Sequence, residues 1–271
     1  MKLKLKMWQV DAFAQRPFEG NPAALVPLER FPDAEWMQKI ANENNLSETA
    51  FFVRMASGQY DLRWFTPLAE VDLCGHATLA SAHLIFSELE PDLTEVNFET
   101  RSGKLSVCRG DDGWHEMSLP SDPPTPWWDK GFAEGLAAAL GTPPPQELLR
   151  ARYITAVWDD AETIARIEGP GKIAPLLHAQ GMWGLITTAK GFGDYDFVSR
   201  FFAPDKGVPE DPVTGSAHCS LAPYWAQRLG KLTLRARQIS PRGGDLVCRV
   251  AKARTILKGS CALYMEAQIV V

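Results

Sequence analysis

The chain has 271 residues, of which 45% are hydrophobic and 23% charged, so it is long enough for one large or two medium globular domains. The formal net charge of −5 argues against a nucleic-acid-binding protein, which would show a basic patch. Residues 1–13 begin with basic residues but resemble a strand more than a signal peptide, and no stretch approaches the ~20 apolar residues of a membrane span. We therefore expect a cytoplasmic protein without nucleic-acid or membrane partners.

The cysteines favour the same compartment. The chain contains five, an odd number without CxxC spacing, which is typical of reduced thiols. The sequence also lacks a glycine-rich phosphate loop, spaced metal ligands and a lysine-centred pyridoxal motif. We therefore expect no metal and no cofactor.

In the first half of the chain, apolar periodicity predicts mostly strands with two helices. Asp33 is the predicted N-cap of the first helix, and a helix gives way to a strand within residues 45–53. The predicted strands are 3–13, 23–26, 60–65, 95–99, 104–109 and 114–119, and the predicted helices are 33–44 and 75–87.

The proline-rich segment Pro120–Pro126 separates this half from the next, because its prolines are incompatible with regular structure. We predict one domain over residues 1–120, completed by the C-terminal strand 262–271, and a second over 127–261. In the second half the predicted strands are 152–158, 161–168, 183–189, 197–202, 231–239, 244–252, 254–258 and 262–271, and the predicted helices are 131–140, 172–180 and 215–229.

Two similar junctions stand out, one in each half. Residues 65–82 and 208–225 each pass through acidic residues to a glycine, Gly75 or Gly215, followed by a helix of small residues. Each junction also follows a Phe-x-Pro tripeptide. Free N–H groups at a helix start favour an anion, so each junction predicts one side of a site for a small anionic metabolite.

Four ordered segments carry a family resemblance: 10–26 (VDAFAQRPFEGNPAALV), 45–52 (NLSETAFF), 74–83 (CGHATLASAH) and 210–218 (EDPVTGSAH). Together they resemble the phenazine-biosynthesis PhzF family of the diaminopimelate epimerase-like superfamily. The resemblance implies an α+β fold of two similar halves, each a curved, mostly antiparallel sheet around a central helix, with the active site between them. It also implies a homodimer.

Glu48 is the main catalytic candidate. It lies between Leu46 and the apolar run 51–53, and carboxyl groups in apolar surroundings suit proton transfer near neutral pH. The resemblance implies that the Glu of this motif moves a proton between substrate carbons. From composition alone, a surface carboxylate at a helix end would be the favoured interpretation.

The resemblance assigns substrate binding to His76, Asp211 and Ser216. Thr214 is predicted to form a carboxylate cradle with the backbone N–H groups of Gly215 and Ser216 and those of Gly75 and His76. A helix start lowers the pKa of a nearby imidazole, so a neutral His76 is expected. Asp72 and Asn21 are weaker candidates.

These residues also have structural interpretations. His76 and Ser216 could be helix caps and Asp211 a turn residue, while His83 and His218 are interpreted as core histidines.

Cys74 raises an alternative. Diaminopimelate epimerase places a catalytic cysteine before the glycine of both junctions, and here the second position falls near Pro212, which has no titratable group. Inversion needs a base and an acid on opposite faces of the carbon, whereas a proton shift along one face needs a single carboxylate. The structural interpretation of Cys74 is a small buried apolar residue.

The favoured function is therefore a cofactor-independent isomerase acting on a small carboxylate-bearing metabolite. One alternative is a racemase or epimerase that uses Cys74 with Glu48 or Asp211. Another is a non-catalytic small-molecule-binding protein.

Overall fold

A computed structural model describes residues 3–170, 172–206 and 208–271. The helices are α1 (Ala34–Asn44), α2 (Gly75–Leu84), α3 (Lys130–Leu140), α4 (Ala161–Ala165), α5 (Ile173–Ala179) and α6 (Gly215–Leu229). The strands are β1 (Lys4–Ala12), β2 (Asn21–Leu28), β3 (Glu48–Ala56), β4 (Gln59–Phe65), β5 (Glu70–Val71), β6 (Glu95–Thr100), β7 (Gly103–Arg109), β8 (His115–Pro120), β9 (Thr125–Pro126), β10 (Glu147–Arg150), β11 (Ile154–Trp158), β12 (Leu185–Lys190), β13 (Phe197–Ala203), β14 (Val208–Asp211), β15 (Thr233–Gln238), β16 (Gly244–Ala251), β17 (Arg254–Gly259) and β18 (Cys261–Val270).

The chain forms two compact units. One comprises the residues up to Ser118 together with Lys258–Val271, and the other comprises Leu119–Leu257. The mixed α/β architecture, with strand-rich sheets and helices, is that of the diaminopimelate epimerase-like fold, which confirms the predicted fold class.

In the first unit the strands pair in the order β18-β1-β2-β3-β4-β6-β7-β8. The β2–β3 and β4–β6 pairs are parallel, and the other pairs are antiparallel. Helix α2 contacts β1, β2, β3, β7 and β18, so the sheet curves around it. A helix enclosed in this way must be apolar or small-sided on all faces, and nearly every residue of α2 is buried.

The second unit repeats this plan. Its strands pair in the order β9-β10-β11-β12-β13-β15-β16, with parallel β11–β12 and β13–β15 pairs. Helix α6 connects β13 to β15 as α2 connects β4 to β6, since antiparallel neighbours need only short loops but a parallel pair needs a crossover. Helices α3, α4 and α5 pack in a separate apolar layer, as α1 does in the first unit.

Two local predictions are wrong, and one is confirmed only in position. Residues 161–168 do not form a strand: α4 begins there because Asp160 accepts a hydrogen bond from the Thr163 N–H, and Ile164 within α4 and Ile167 just after it are both buried. Asp33 occupies the N-cap of α1 as predicted, although its side chain makes no capping hydrogen bond. The segment Pro120–Pro126 is not wholly irregular, because β9 pairs with β10.

Within the described residues, no helix combines the length and apolar character of a membrane span.

Candidate active site

Three segments of the first unit bring the candidate catalytic residues together. Asn21 begins β2, Glu48 begins β3, and His76 lies in the first turn of α2. Because β2 and β3 are parallel, with Ala23 opposite Glu48, their amino ends lie at the same edge of the sheet. The N-terminus of the enclosed helix α2 adds His76 to this edge.

The Glu48 carboxylate is held among buried groups. His76 Nε2 lies 3.0 Å from Glu48 Oε2, and the two side chains are only 5% and 15% exposed. This oxygen is buried and, among the described residues, accepts no hydrogen bond of normal geometry. Oε2 therefore keeps lone pairs that are not used in hydrogen bonds, although His76 lies close to it. A carboxylate oxygen in this state can accept a proton.

The other ring nitrogen of His76 faces hydrogen-bond donors. Asn21 Nδ2 lies 3.2 Å from Nδ1, and Cys74 Sγ lies 3.6 Å from it. An amide nitrogen can only donate, so Nδ1 must be the acceptor in the neutral ring. The neutral ring then carries its hydrogen on Nε2, which points to Glu48.

The expected lowering of the His76 pKa is wrong. Burial does lower it, but the contacts of the ring with Cys74 and Glu48 outweigh burial and raise the pKa well above 6.5, the Glu48 charge being the one present at neutral pH. In both the protonated ring and the neutral ring favoured by Asn21, Nε2 carries a hydrogen toward Glu48.

Cys74 is the N-cap residue of α2 and is buried. Burial, followed by the nearby Glu48 charge, raises the pKa of Cys74 to about 11. The group is therefore a thiol at neutral pH, able to donate to His76 but weak as a base.

The junction of the second unit has its own hydrogen-bonded network. The Thr214 hydroxyl donates to Asp211 Oδ2, and Thr214 N–H donates to Gln238 Oε1 at 2.9 Å. Gln238 also donates from Nε2 to the Asp211 carbonyl at 2.6 Å. Ser216 Oγ lies 3.0 Å from the hydroxyl of Tyr153. Neither Gln238 nor Tyr153 lies near a motif, so the sequence did not indicate either residue.

The two helix starts correspond residue by residue, which corrects the position predicted for the second half. Cys74 and Thr214 are the N-cap residues, so the counterpart of Cys74 is Thr214 and not Pro212. Thr78 Oγ1 bonds to the Cys74 carbonyl and His218 Nδ1 to the Thr214 carbonyl, each across one turn. Thr214 lacks a thiol, so the pair of cysteines required for the epimerase arrangement is absent at these two positions.

Behind each junction lies an arginine–glutamate pair. Arg63 contacts both carboxylate oxygens of Glu70 at 2.7 and 2.8 Å, and Arg200 contacts those of Glu210 at the same distances. Both glutamates lie five residues before the junction glycine, and both arginines lie two residues before the phenylalanine of Phe-x-Pro. This repeat was available in the sequence and was missed.

The buried pair should matter more than the half-buried one. Arg200 is 4% exposed and also donates to the carbonyls of Ile164 and Ile167. We expect Arg200→Lys to lower the free energy of unfolding by about 2 kcal/mol, because lysine cannot satisfy all these acceptors. Arg63→Lys should cost about 1 kcal/mol, because Arg63 is more exposed than Arg200 and, among the described residues, has only the Glu70 carboxylate to satisfy. Urea denaturation of both variants measures this difference, and equal losses would contradict the structural account.

The remaining candidates lie apart from Glu48. Asp72 is exposed, with Oδ1 at 4.0 Å from an Arg101 nitrogen. His83 lies against His115, with 2.9 Å between their ring nitrogens. His218 is fully buried beside Phe197.

Glu48, Cys74 and His76 together could hold a metal ion. One donor atom from each lies within 4.8 Å of the others. Sequence spacing did not indicate this set because Glu48 joins the other two only through the fold.

Comparison with known proteins gives consistent matches across the chain. The PhzC-PhzF family model, described as phenazine biosynthesis-like protein, matches residues 10–267. An "uncharacterized isomerase" of Pseudomonas aeruginosa is 48% identical over 97% of this chain and 98% of its own. The human "phenazine biosynthesis-like domain-containing protein" is 38% identical, covering 97% of this chain and 98% of that protein. A crystal structure of a PhzF family protein from Enterococcus faecalis superimposes with a TM-score of 0.91 at 41% identity, covering 99% of this chain and 100% of that one.

Proposed function

Because the chain belongs to the PhzC-PhzF, phenazine biosynthesis-like, family, we propose that it is a cofactor-independent isomerase that shifts a proton on a small carboxylate-bearing metabolite. The family and its isomerase-named relatives support isomerase activity in general. The proton shift, the substrate class and the independence from cofactors are our proposal.

The observation that carries the proposal is the state of Glu48. Its Oε2 is buried, accepts no hydrogen bond of normal geometry from the described residues, and faces His76 Nε2 at 3.0 Å. A positioned carboxylate in low-dielectric surroundings is suited to take a proton from carbon and return it.

In the proposed reaction, Glu48 removes a proton from a substrate carbon, and the electron pair of the broken C–H bond moves into the conjugated system. Glu48 then delivers the proton to another carbon on the same face, so the double bond migrates. His76 holds Glu48 in place through the 3.0 Å contact between Nε2 and Oε2, and Asn21 and Cys74 contact the other ring nitrogen.

Binding of the substrate is assigned to the two helix starts. N–H groups in the first turn have no intrahelical acceptor, and the helix dipole adds partial positive charge. We assign Gly75, Gly215, Thr214, Ser216 and Asp211 to the substrate, because the same junction is repeated in both units. Such donors would also stabilise the enolate-like charge that develops as the proton leaves.

A single-face shift fits better than inversion at Cys74. The pKa of Cys74 is raised to about 11, and its counterpart in the second unit is Thr214. Neither group is the thiolate that a two-base inversion needs.

The test is a proton NMR assay in heavy water with a panel of small unsaturated amino and hydroxy acids. We expect deuterium uptake with double-bond migration, undiminished by prior treatment with a chelator and largely retained in Cys74→Ser. Racemisation of a carbon that is lost in Cys74→Ser would replace the proposal with the epimerase alternative. No exchange with any compound, but saturable binding, would favour the binding-protein alternative.

A further inference from the structure

Glu48, Cys74 and His76 bring together three possible metal-ligand atoms, an arrangement that the proposed reaction does not by itself require. They are a carboxylate oxygen, an imidazole nitrogen and a sulfur, and one atom from each residue lies within 4.8 Å of the other two. Cys74 and His76 are 6% and 4% exposed, so two of the three residues are buried. A thiol and an imidazole beside a buried carboxylate oxygen without a normal hydrogen bond are chemically suited to a soft divalent cation.

We infer that Glu48, Cys74 and His76 form a binding site for Zn²⁺, and that the bound ion blocks the isomerase. The inhibitory half of this inference rests on the proposed function, whereas the binding half does not.

The separations of the donor atoms are close to those of a zinc site. Nε2 of His76 lies 3.0 Å from Glu48 Oε2 and 4.0 Å from Cys74 Sγ. Tetrahedral zinc with ordinary bond lengths places such ligand atoms about 3.3–3.6 Å apart. Small side-chain rotations would therefore bring the three donors into the coordination sphere.

The charges also balance. A carboxylate and a thiolate together neutralise the two positive charges of the ion, which matters in a buried site where an uncompensated charge is costly. Three protein ligands leave a fourth position open for water, which is the arrangement of zinc sites that exchange ligands. Mg²⁺ prefers oxygen ligands and should not compete.

Proton balance is straightforward. Coordination releases the Cys74 thiol proton to solvent. The neutral ring also releases the Nε2 hydrogen to solvent and takes up one proton from solvent at Nδ1, so that Nε2 becomes a ligand. Nδ1 then carries the ring hydrogen and needs an acceptor, as in most zinc-bound histidines. Asn21 already contacts Nδ1 through Nδ2, and a half-turn of its amide would present Oδ1 instead.

The consequence for activity follows from the shared atoms. The ion would occupy Glu48 Oε2, which the proposed reaction uses to accept the proton. Zinc should therefore act as a reversible inhibitor that a chelator removes.

The experiment measures metal uptake directly in the metal-free whole protein. Zn²⁺ is titrated in competition with a chelating dye, and Co²⁺ is added separately to record the thiolate-to-cobalt charge-transfer band. We expect one equivalent of Zn²⁺ per chain, no response to Mg²⁺, and at least ~10-fold weaker binding in Cys74→Ser and Glu48→Gln. The charge-transfer band should disappear in Cys74→Ser.

Matched controls come from thiol and imidazole groups elsewhere. Cys108 is exposed, and His178 pairs with Asp205 at 2.6 Å on the surface. Cys108→Ser and His178→Gln should bind Zn²⁺ like the parent protein. The inference is overturned if no stoichiometric uptake occurs, if Cys74→Ser keeps the cobalt band, or if either control abolishes binding. Stoichiometric binding without inhibition would retain the site and reject the role of Oε2 in proton transfer.

Discussion

Glu48→Gln should lower kcat by about 10³-fold, within the range that general acid/base groups contribute. Glutamine keeps the size of the side chain and its hydrogen-bonding capacity toward His76 Nε2, but its amide cannot accept a proton from carbon. Because the substitution removes proton transfer and leaves the binding groups in place, the loss should fall on kcat with little change in KM. Steady-state rates and deuterium uptake on the same substrate measure both effects.

Two further variants make this result specific. Glu43→Gln changes an exposed carboxylate on α1 and should leave the rate unchanged. Glu48→Asp keeps the carboxylate but draws it back from His76, so it should retain more activity than Glu48→Gln. Full activity in Glu48→Gln, with unaltered thermal unfolding, would reject Glu48 as the proton shuttle.

Mild acid should destabilise both units through buried histidines. Burial lowers the pKa of His115 and of His218 to about 4, from 6.5. Between these two pKa values the unfolded chain binds more protons than the folded chain. Stability is therefore lost as the pH falls from 6.5 toward the folded-state pKa values. Between pH 7 and pH 5, each histidine should cost about 2 kcal/mol. Urea denaturation across this range measures the loss.

Other ionisable groups act in different windows. Hydrogen bonds led by that of Arg54 lower the pKa of Glu90 to about 2, so its contribution is lost only below pH 4.5. His76 has a raised pKa, so any stability linked to it is lost as the pH rises and is retained in acid. The loss between pH 6.5 and 4.5 should therefore belong mainly to buried neutral histidines. Burial also lowers the pKa of His83, which adds to the effect in the first unit.

The duplication supplies a matched variant for this experiment. Thr78 makes the same hydrogen bond to its N-cap carbonyl as His218 does, so His218→Thr keeps the bond and removes the titrating ring. Its stability should be lower at pH 7, because a cavity forms, but should fall about 2 kcal/mol less between pH 7 and pH 5. His178→Gln, at the surface, should keep the parent slope. An unchanged slope in His218→Thr would show that this histidine is not the source.

The duplicated junction is the feature that the sequence shows best. Phe-x-Pro, acidic residues, glycine and a helix of small residues occur twice, and the structure places both helices as crossovers between parallel strands. The matching arginine–glutamate pairs extend the repeat to side chains in the segment before each helix. Each arginine also packs on the phenylalanine of Phe-x-Pro. The guanidinium carbon lies 5.4 Å from the ring centre in the Arg63–Phe65 pair and 5.1 Å in the Arg200–Phe202 pair.

Sequence by itself determined the fold class, the family and the predicted range of α6, because these depend on local signals: periodicity, small residues and motifs in a fixed order. It failed at residues 161–168, where alternation and helical spacing of Ala161, Ile164 and Ile167 are hard to distinguish over a short run.

Tertiary structure alone decided which groups meet. Glu48, Cys74 and His76 converge because parallel strands align at one edge and the enclosed helix begins there. The direction of the His76 pKa was mispredicted for the same reason: the helix start is a local feature, whereas Glu48 comes from a distant strand. Gln238 and Tyr153 were invisible because their partners, Thr214 and Ser216, are far away in sequence. Local order specifies each element, but distances between side chains depend on the packing of the whole unit.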